Sequence, residues 1–306
     1  MTGKKSEIGY REAFTLFCVP FFSGKIMLCQ ERRLLLMQKE KTAAMPLRPF
    51  SGEKSIAIPG RLRILSSGTL KLIAMGTMFL DHVGAVLIER GLLQSSAVIG
   101  PSPSGALPVI CSWLRALGRI SFPTFVFLLV EGFLHTRDLK NYILRMAVFA
   151  FLSEIPFDLA FFGVPFEFTY QNNIFSLLLS LLMLRGIKES GRRWYLAMPI
   201  IAATCAATIF LRTDYAVAAP ALAAAFYLFR KDPLSRFLAG TAIVTLANVS
   251  FASPACLVLG AVSVFMTCFL YNGKKGPSFG IGGYAAYPLH LLALGTLATI
   301  FGDRFI

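Results

Sequence analysis

The chain of 306 residues is 56% hydrophobic and only 15% charged, with a mean hydropathy of +0.65. Water-soluble domains carry about 25% charged residues, so this composition excludes an ordinary soluble globular protein. The net charge of +14 is shared between a basic segment, residues 1–67, and short clusters between apolar runs. Such clusters are typical of cytoplasmic loops rather than of a basic face for nucleic acid, so no nucleic-acid partner is expected.

Residues 1–67 are predicted to form a basic, poorly structured N-terminal extension with 12 Lys/Arg and 5 Asp/Glu. The apolar run at 13–29 contains Pro20 and Lys25 and lacks the small-residue cleavage site of a signal peptide. Internal methionines such as Met45 offer alternative starts, so part of the extension could be a gene-model artefact. The functional domain is predicted to cover residues 68–306.

From residue 68 onward, long apolar runs alternate with short polar breaks. A membrane-spanning helix needs about 20 apolar residues, so the pattern predicts an all-α, polytopic membrane bundle. Nine spans are predicted, at residues 69–88, 118–135, 141–162, 171–187, 194–211, 215–230, 235–251, 254–271 and 282–301. The second is the least regular because Arg115 and Arg119 crowd its start, and the preceding segment 107–117 could lie flat at the interface.

The charges of the loops predict the orientation of these spans in the membrane. Lys and Arg concentrate before the first span and after the second, fourth, sixth and eighth, whereas the intervening breaks contain only Arg212 as a base. Because cytoplasmic loops carry the excess of Lys and Arg, the N-terminus is predicted in the cytoplasm and the C-terminus outside. Arg115 and Arg119 fall on the outer side and are the exception.

The first span carries the strongest candidates for chemistry. Ionisable side chains inside spans cost roughly 2.5–3.5 kcal/mol each and are functional candidates for that reason. His82 follows Lys71 by eleven residues, almost three turns, so the two share a helix face about 16 Å apart. Asp81 points about 100° away from His82, and a cation from another helix is its expected partner. His82 can exchange a proton near neutral pH; the alternative is a purely structural polar lock between helices.

The second and third spans add further ionisable residues. Arg119 starts the second span, and Glu131 could bond to His135 on the same helix face or pair with Arg145 of the third span.

Carboxylates also lie near the outer breaks. Glu154 and Asp158 flank Pro156, which should kink or end the third span; they could line a polar cavity or face outer solvent. Arg212 and Asp214 are expected to form a local ion pair in a short turn. His290 is the third histidine predicted within a span and ranks below His82 as a candidate for chemistry. The six cysteines show no CxxC or CxxH spacing, so neither a metal site nor a disulfide is predicted.

Several blocks of sequence then follow one another in a specific order. They are Leu70-Lys71 through Asp81-His82-Val83-Gly84, Gly118-Arg119-Ile120-Ser121-Phe122-Pro123, Glu131-Gly132-Phe133-Leu134-His135-Thr136-Arg137, Tyr142 and Arg145, Ser153-Glu154-Ile155-Pro156-Phe157-Asp158, Asp214-Tyr215, Leu270-Tyr271-Asn272-Gly273-Lys274-Lys275-Gly276, and Tyr287-Pro288-Leu289-His290-Leu291. In this order they resemble the TraX family over about residues 68–306. Its founding member is associated with N-terminal acetylation of F-type pilin, so the resemblance implies a multi-pass protein of the bacterial cytoplasmic (inner) membrane connected with conjugation.

That family is in turn similar to the polytopic O-acyltransferases that modify bacterial surface glycans. These carry an Arg at the cytoplasmic end of the first span and a His eleven residues later; Lys71 and His82 match the spacing. Lys keeps a positive charge suited to a CoA phosphate but loses the bidentate fork of Arg. The resemblance implies an acetyl-CoA-dependent acyltransferase whose acceptor is a pilin-like N-terminus or a surface glycan.

Within that implied function, His82 is the general base and Asp81 tunes the charge of the site. Lys71, with Arg137 and Arg145, is expected to hold the phosphates of the donor. Polar partner or structural roles are expected for Arg119, Glu131, Glu154 and His290. Two other functions stay open: a non-enzymatic assembly factor for a pilus or envelope complex, which uses the same residues between helices, and a proton-coupled transporter with His82 and Glu131 as a relay.

Overall fold

The computed structural model describes residues 62–94, 105–191, 193–249, 253–280 and 282–302. These residues belong to one compact unit of the chain, Phe50–Ile306, and the other unit, Met1–Pro49, lies outside them. The predicted N-terminal extension therefore falls almost wholly outside the described residues. Within the described part of the chain the regular structure is helical, with two isolated bridges in place of a sheet. The predicted all-α class is confirmed.

The described residues form ten α-helices and three short or irregular helical segments. The α-helices are α1 Ser67–His82, α2 Ala106–Gly118, α3 Ser121–His135, α4 Leu139–Phe161, α5 Asn173–Ser190, α6 Ala197–Phe210, α7 Ala218–Leu228, α8 Pro233–Asn248, α9 Pro254–Phe265 and α10 Gly282–Gly302. A 3₁₀ turn, Trp194–Leu196, precedes α6, and π-helical segments follow α1 at Val83–Gln94 and α9 at Met266–Leu270. In the described part of the chain, each of the nine segments predicted as spans overlaps one of these helical runs.

Length and composition distinguish two of the runs. Ser67–Gly91 and Ala106–His135 are long and apolar enough to cross a membrane, and shorter apolar helices occur at Trp194–Phe210, Ala218–Leu228 and Pro254–Leu270. The second long run joins α2 to α3, so it begins before the predicted boundary at residue 118. The segment that precedes this boundary packs against α1 and α9.

The first helix begins at a clear cap and ends in an unusual way. The Ser66 hydroxyl accepts a hydrogen bond from the backbone N–H of Thr69 at 3.2 Å, which satisfies one of the free donors at the start of α1. At the other end, α1 passes directly from His82 into the π-helical segment Val83–Gln94. Segments of this type are rare, usually limited to a single turn, and frequent at functional sites.

Two apolar clusters hold the helices together. The larger lies among α3, α5, α7, α8 and α9 and includes the fully buried rings of Phe127, Phe133 and Phe226. The smaller lies between the first π-helical segment, α4 and α10, and it contains Phe157 and Ala160. The smaller cluster borders the ionisable residues of α1 and α10.

Pro156 does not end the third predicted span. The helix α4 continues through it to Phe161. Proline removes one N–H donor and usually interrupts a helix. Here the following turn is retained by packing, because Phe157 and Ala160 are buried against α10. The alternative in which the helix ends at Pro156 is therefore wrong.

Candidate functional site

A buried cluster of charges surrounds Asp81. One oxygen of its carboxylate, Oδ1, lies 2.8 Å from Nη1 of Arg115 and 3.2 Å from Nη2 of Arg119. Arg119 is only 4% exposed, and Arg115 also lies 3.7 Å from the half-exposed carboxylate of Glu89. The expectation that Asp81 takes a cation from another helix is confirmed, and both cations come from the end of α2. Arg115 was expected only as a charge crowding the start of a span.

Gly118 allows this close approach. A Cβ atom added at Gly118 would overlap the side chain of Asp81. The absence of a side chain at the last residue of α2 therefore brings the backbone against α1, where Arg119 reaches the carboxylate. The two helices pack together along this contact.

His82 and His290 form a direct pair between α1 and α10. Nδ1 of His82 lies 2.5 Å from Nε2 of His290, and the ring planes are within 11° of parallel. The ring centroids are 4.8 Å apart, which is the nitrogen–nitrogen distance plus about two ring radii. The rings therefore meet edge to edge, in the geometry of an in-plane hydrogen bond, rather than face to face.

Aromatic rings surround this pair. Phe161 and Tyr287 present their rings to His82 at centroid distances of 5.7 and 5.9 Å, and Phe79 contacts His290 at 6.0 Å. The other nitrogen of His290, Nδ1, lies 2.6 Å from the backbone oxygen of Ala286, one turn earlier in α10. Sequence reasoning missed the pair because the two histidines lie 208 positions apart and no local spacing connects them.

A cavity of about 940 Å³ opens at the Lys71 end of α1. Among the described residues that line it, Lys71, Arg145 and Lys275 are cationic and Glu131 is anionic, so the lining carries an excess of positive charge. The Lys71 ammonium lies 5.4 Å from the ring centroid of Tyr284. Arg137, predicted with Lys71 and Arg145 as a donor-binding residue, is not among the lining residues. Lys275 was not singled out for this role, although it lies in one of the blocks that resemble the TraX family.

The cavity and the histidine pair are separate but adjacent. Neither Asp81 nor His82 is among the cavity's lining residues, whereas Tyr287 both lines the cavity and contacts the His82 ring. Lys71 lies against Tyr284 and His82 against His290, so both residues face α10. The shared helix face predicted from their eleven-residue spacing is confirmed.

Glu131 has a different partner from the one expected. Its Oε2 accepts a hydrogen bond from the Tyr271 hydroxyl at 3.0 Å and lies 3.7 Å from Nδ1 of His135. The i,i+4 contact with His135 is therefore present, but the hydrogen bond of His135 Nδ1 goes to the backbone oxygen of Glu131 at 2.9 Å and not to the carboxylate. The alternative pairing with Arg145 is wrong for the described residues, because Tyr271, placed by the second π-helical segment, reaches the carboxylate instead.

The carboxylates near the predicted outer breaks bind the backbone of connecting segments. Glu154 accepts from the side-chain amide of Asn172, and Asp158 accepts from the backbone N–H of Glu167 at 2.9 Å. Neither carboxylate lines the cavity at Lys71. These contacts fix the connection between α4 and α5, so the structure gives Glu154 a positioning role.

The expected ion pair between Arg212 and Asp214 is absent from the described residues. Asp214 Oδ1 instead accepts from the backbone N–H of Tyr215 at 3.0 Å, and the Asp214 carbonyl accepts from the Ser176 hydroxyl. Arg212 and Tyr215 both adopt positive φ angles, 50° and 55°. This tight turn sets the backbone so that the two side chains do not pair.

Comparison with known proteins identifies the family of this chain. A family model described as TraX protein matches residues 66–298. The "Probable fimbrial assembly protein FimC, serogroup H1" of Dichelobacter nodosus is 32% identical over 199 residues, which cover 59% of this chain and 81% of that protein. No solved structure matches the chain. Because the family model spans most of the chain, including every residue of the charge cluster, the histidine pair and the cationic part of the cavity, the protein belongs to the TraX family.

Proposed function

We propose that the protein is an integral membrane acyltransferase, which moves an acetyl group from acetyl-CoA to a pilin-like N-terminus or a cell-surface polymer. The observation that carries this proposal is the arrangement of two residues on one face of α1. Lys71 lies in a cationic cavity, and His82, three turns further on, is paired with His290 beside the cavity wall. A binding region next to a proton-transfer group is what acyl transfer from a phosphorylated donor requires.

The cavity suits a large anionic donor. Its volume of about 940 Å³ lies near the top of the range of roughly 300–1,000 Å³ that is usual for ligand pockets. Lys71, Arg145 and Lys275 supply positive charge for phosphates, and Tyr142 and Tyr284 supply rings. Arg137 stays a candidate only for a contact outside this cavity.

His82 then acts as the general base. It takes a proton from the acceptor's amine or hydroxyl while the acceptor's nitrogen or oxygen bonds to the acetyl carbonyl carbon. The carbon–sulfur bond breaks, and the CoA thiolate leaves and takes up the proton from His82. Asp81 neutralises part of the charge of Arg115 and Arg119, which keeps the polar cluster beside His82 from being strongly positive.

The topology proposed for this reaction has nine spans in the bacterial cytoplasmic membrane, with the N-terminus in the cytoplasm. The Lys and Arg pattern of the loops supports it, and so do the two long apolar runs. The Lys71 end of α1 then faces the cytoplasm, where acetyl-CoA is available. The acceptor approaches from the side of Asp81 and His82.

A non-enzymatic assembly factor is the second candidate function. The similarity to a protein named as a probable fimbrial assembly protein supports a pilus-related role without any chemistry. In that function the Asp81 cluster and the histidine pair hold helices together, as polar groups do between membrane helices. The two candidates make different demands on His82.

An assay of labelled acetyl transfer distinguishes the acyltransferase from the assembly factor. Membranes containing the wild-type protein, His82→Ala or Thr296→Ala are given acetyl-CoA labelled in the acetyl group and an extract of envelope proteins and glycans as acceptor. Thr296 is exposed on α10 and bonds only to its own helix, so its variant should match the wild type. Loss of transfer in His82→Ala alone supports the acyltransferase. Equal transfer in all three removes His82 from catalysis, and transfer no higher than in empty-vector membranes favours the assembly factor.

A further inference from the structure

We propose that His290 is a positioning residue that fixes the tautomer of His82 and so makes Nε2 of His82 the proton-accepting atom. The role in catalysis rests on the proposed function; the tautomer itself does not. The inference comes from two short contacts that share one imidazole ring. They connect α1, α10 and the backbone of α10 in a single chain of hydrogen bonds.

The backbone end of the chain sets its direction. A carbonyl oxygen can only accept, so Nδ1 of His290, 2.6 Å from the Ala286 oxygen, must carry the proton. A neutral imidazole has one donor nitrogen and one acceptor nitrogen. Nε2 of His290 is therefore the acceptor, and the proton between the rings belongs to Nδ1 of His82, 2.5 Å away. Nε2 of His82 is left with a free lone pair.

The surroundings hold the rings in this arrangement. Phe161 and Tyr287 contact His82 from α4 and α10, and Phe79 contacts His290 from α1. The ring planes are nearly parallel and the nitrogens lie on the line between the centroids, so the bond is well aligned. The guanidinium groups of Arg115 and Arg119 act electrostatically on His82, and both are paired with Asp81, the residue that precedes it in α1.

The chain of hydrogen bonds provides a fixed partner for the positive charge that forms on His82 during the reaction. When Nε2 of His82 takes the acceptor's proton, the ring becomes an imidazolium whose Nδ1–H already points at His290. His290 can stabilise this charge without moving, because its Nδ1–H is donated to Ala286. The proton then leaves from the same Nε2 atom to the CoA thiolate, and both histidines return to their starting tautomers. This resembles the logic by which an oriented partner keeps a catalytic histidine in the right tautomer.

The chain has three histidines, which makes the tautomers directly measurable. In protein labelled with ¹⁵N histidine, His135→Gln leaves only the two paired rings. Their ¹⁵N shifts at neutral pH, measured in lipid vesicles, should show a protonated Nδ1 and a bare Nε2 for both. Free histidine favours the opposite tautomer, so the expected result is diagnostic. A protonated Nε2 on either ring overturns the proposal, whether or not the protein is an enzyme.

Variants of His290 test the catalytic consequence. His290→Ala should lower kcat by roughly 10²–10⁴-fold and leave KM for acetyl-CoA unchanged, because His290 lies outside the cavity. His290→Gln keeps an oxygen that can accept from Nδ1 of His82, so it should recover at least part of that loss. Added to the labelled His135→Gln protein, His290→Ala should also return His82 to the Nε2–H tautomer. Wild-type kcat in His290→Ala, or no recovery in His290→Gln with the tautomer retained, overturns the positioning role. If the wild type transfers no acetyl group, the catalytic role fails with the proposed function, while the ¹⁵N shifts still decide the tautomer.

Discussion

The two ends of α1 differ in packing, in burial and in the contacts of their polar side chains. Around Lys71 the helix faces a wide cavity with cations and aromatic rings, and among the described residues the ammonium contacts only the ring of Tyr284. Around Asp81 and His82 the packing is close, the side chains are buried, and each polar group has a short contact to another helix. The Lys71 end is suited to binding and releasing a ligand, and the Asp81–His82 end is suited to holding side chains in fixed positions. Substitutions at the two ends should therefore fail in different ways.

Removing the Asp81 carboxylate is expected to have the largest effect. Asp81→Ala takes away the shared partner of Arg115 and Arg119, and breaking a buried ion pair costs about 3–5 kcal/mol. Glu89→Gln is the matched control, since Glu89 contacts the same Arg115 from an exposed position and such a pair is worth about 0–1 kcal/mol. Thermal unfolding in detergent measures both. Similar unfolding temperatures for the two variants would contradict the rigid character of this end.

Gly118→Ala tests the close approach of α2 and α1. Its Cβ would overlap Asp81, and overpacking of this kind costs about 1–3 kcal/mol. The control is Gly76→Ala, in the middle of α1, where an added Cβ meets nothing within 4 Å. Because alanine favours a helix over glycine, the control should be neutral or slightly more stable. The prediction fails if Gly118→Ala unfolds at the wild-type temperature.

At the open end, loss of charge should affect binding rather than stability. Lys71→Ala and Arg145→Ala should each raise KM for acetyl-CoA by about tenfold, equivalent to about 1.4 kcal/mol, with little change in kcat. Arg185→Ala is the control, because Arg185 pairs with Glu189 on an exposed helix end away from the cavity. Steady-state kinetics with purified protein in detergent give both constants. A fall in kcat at constant KM would place these cations nearer the reaction than the cavity suggests.

The smallest effect is expected outside both regions, at the start of α8. Asp232 caps this helix by accepting from the backbone N–H groups of Leu234 and Ser235, and Asp232→Ala should cost about 1 kcal/mol. The Ser235 hydroxyl and these N–H groups hold the pKa of Asp232 below its ordinary value. The cap's contribution is therefore complete above the ordinary pKa and lost as the pH falls through the lowered one. Thermal unfolding between pH 7 and pH 3 should show this, with Asp232→Asn, which retains a capping oxygen, insensitive to pH at this position.

Local patterns on one helix were predictable from the sequence. The eleven-residue spacing of Lys71 and His82 and the angle between neighbouring residues fixed the common face and the need for a separate partner at Asp81. The helical segments were likewise visible in the apolar runs. Each of these features depends only on helix geometry and on the cost of burying charge.

Contacts between distant segments were not predictable in the same way. His290 could meet His82 only after α10 had packed beside α1. Tyr271, directly after the second π-helical segment, bonds to Glu131 in place of Arg145 although it lies 140 positions away in the sequence. A proline usually interrupts a helix, but at Pro156 burial of the following turn preserves it. In each case packing between helices selected among side chains that were all chemically suitable.

The π-helical segment after His82 affects where the chain can lose a residue without moving the site. Its bonds join residues five apart instead of four, so each turn holds one residue more than a turn of α-helix. Loss of one residue within Val83–Gln94 can be absorbed by conversion of a turn to α-helix. Loss of one residue between Lys71 and His82 would rotate the imidazole by about 100° away from α10. The segment that follows the site can therefore lose a residue without moving His82, whereas the eleven-residue interval before it cannot.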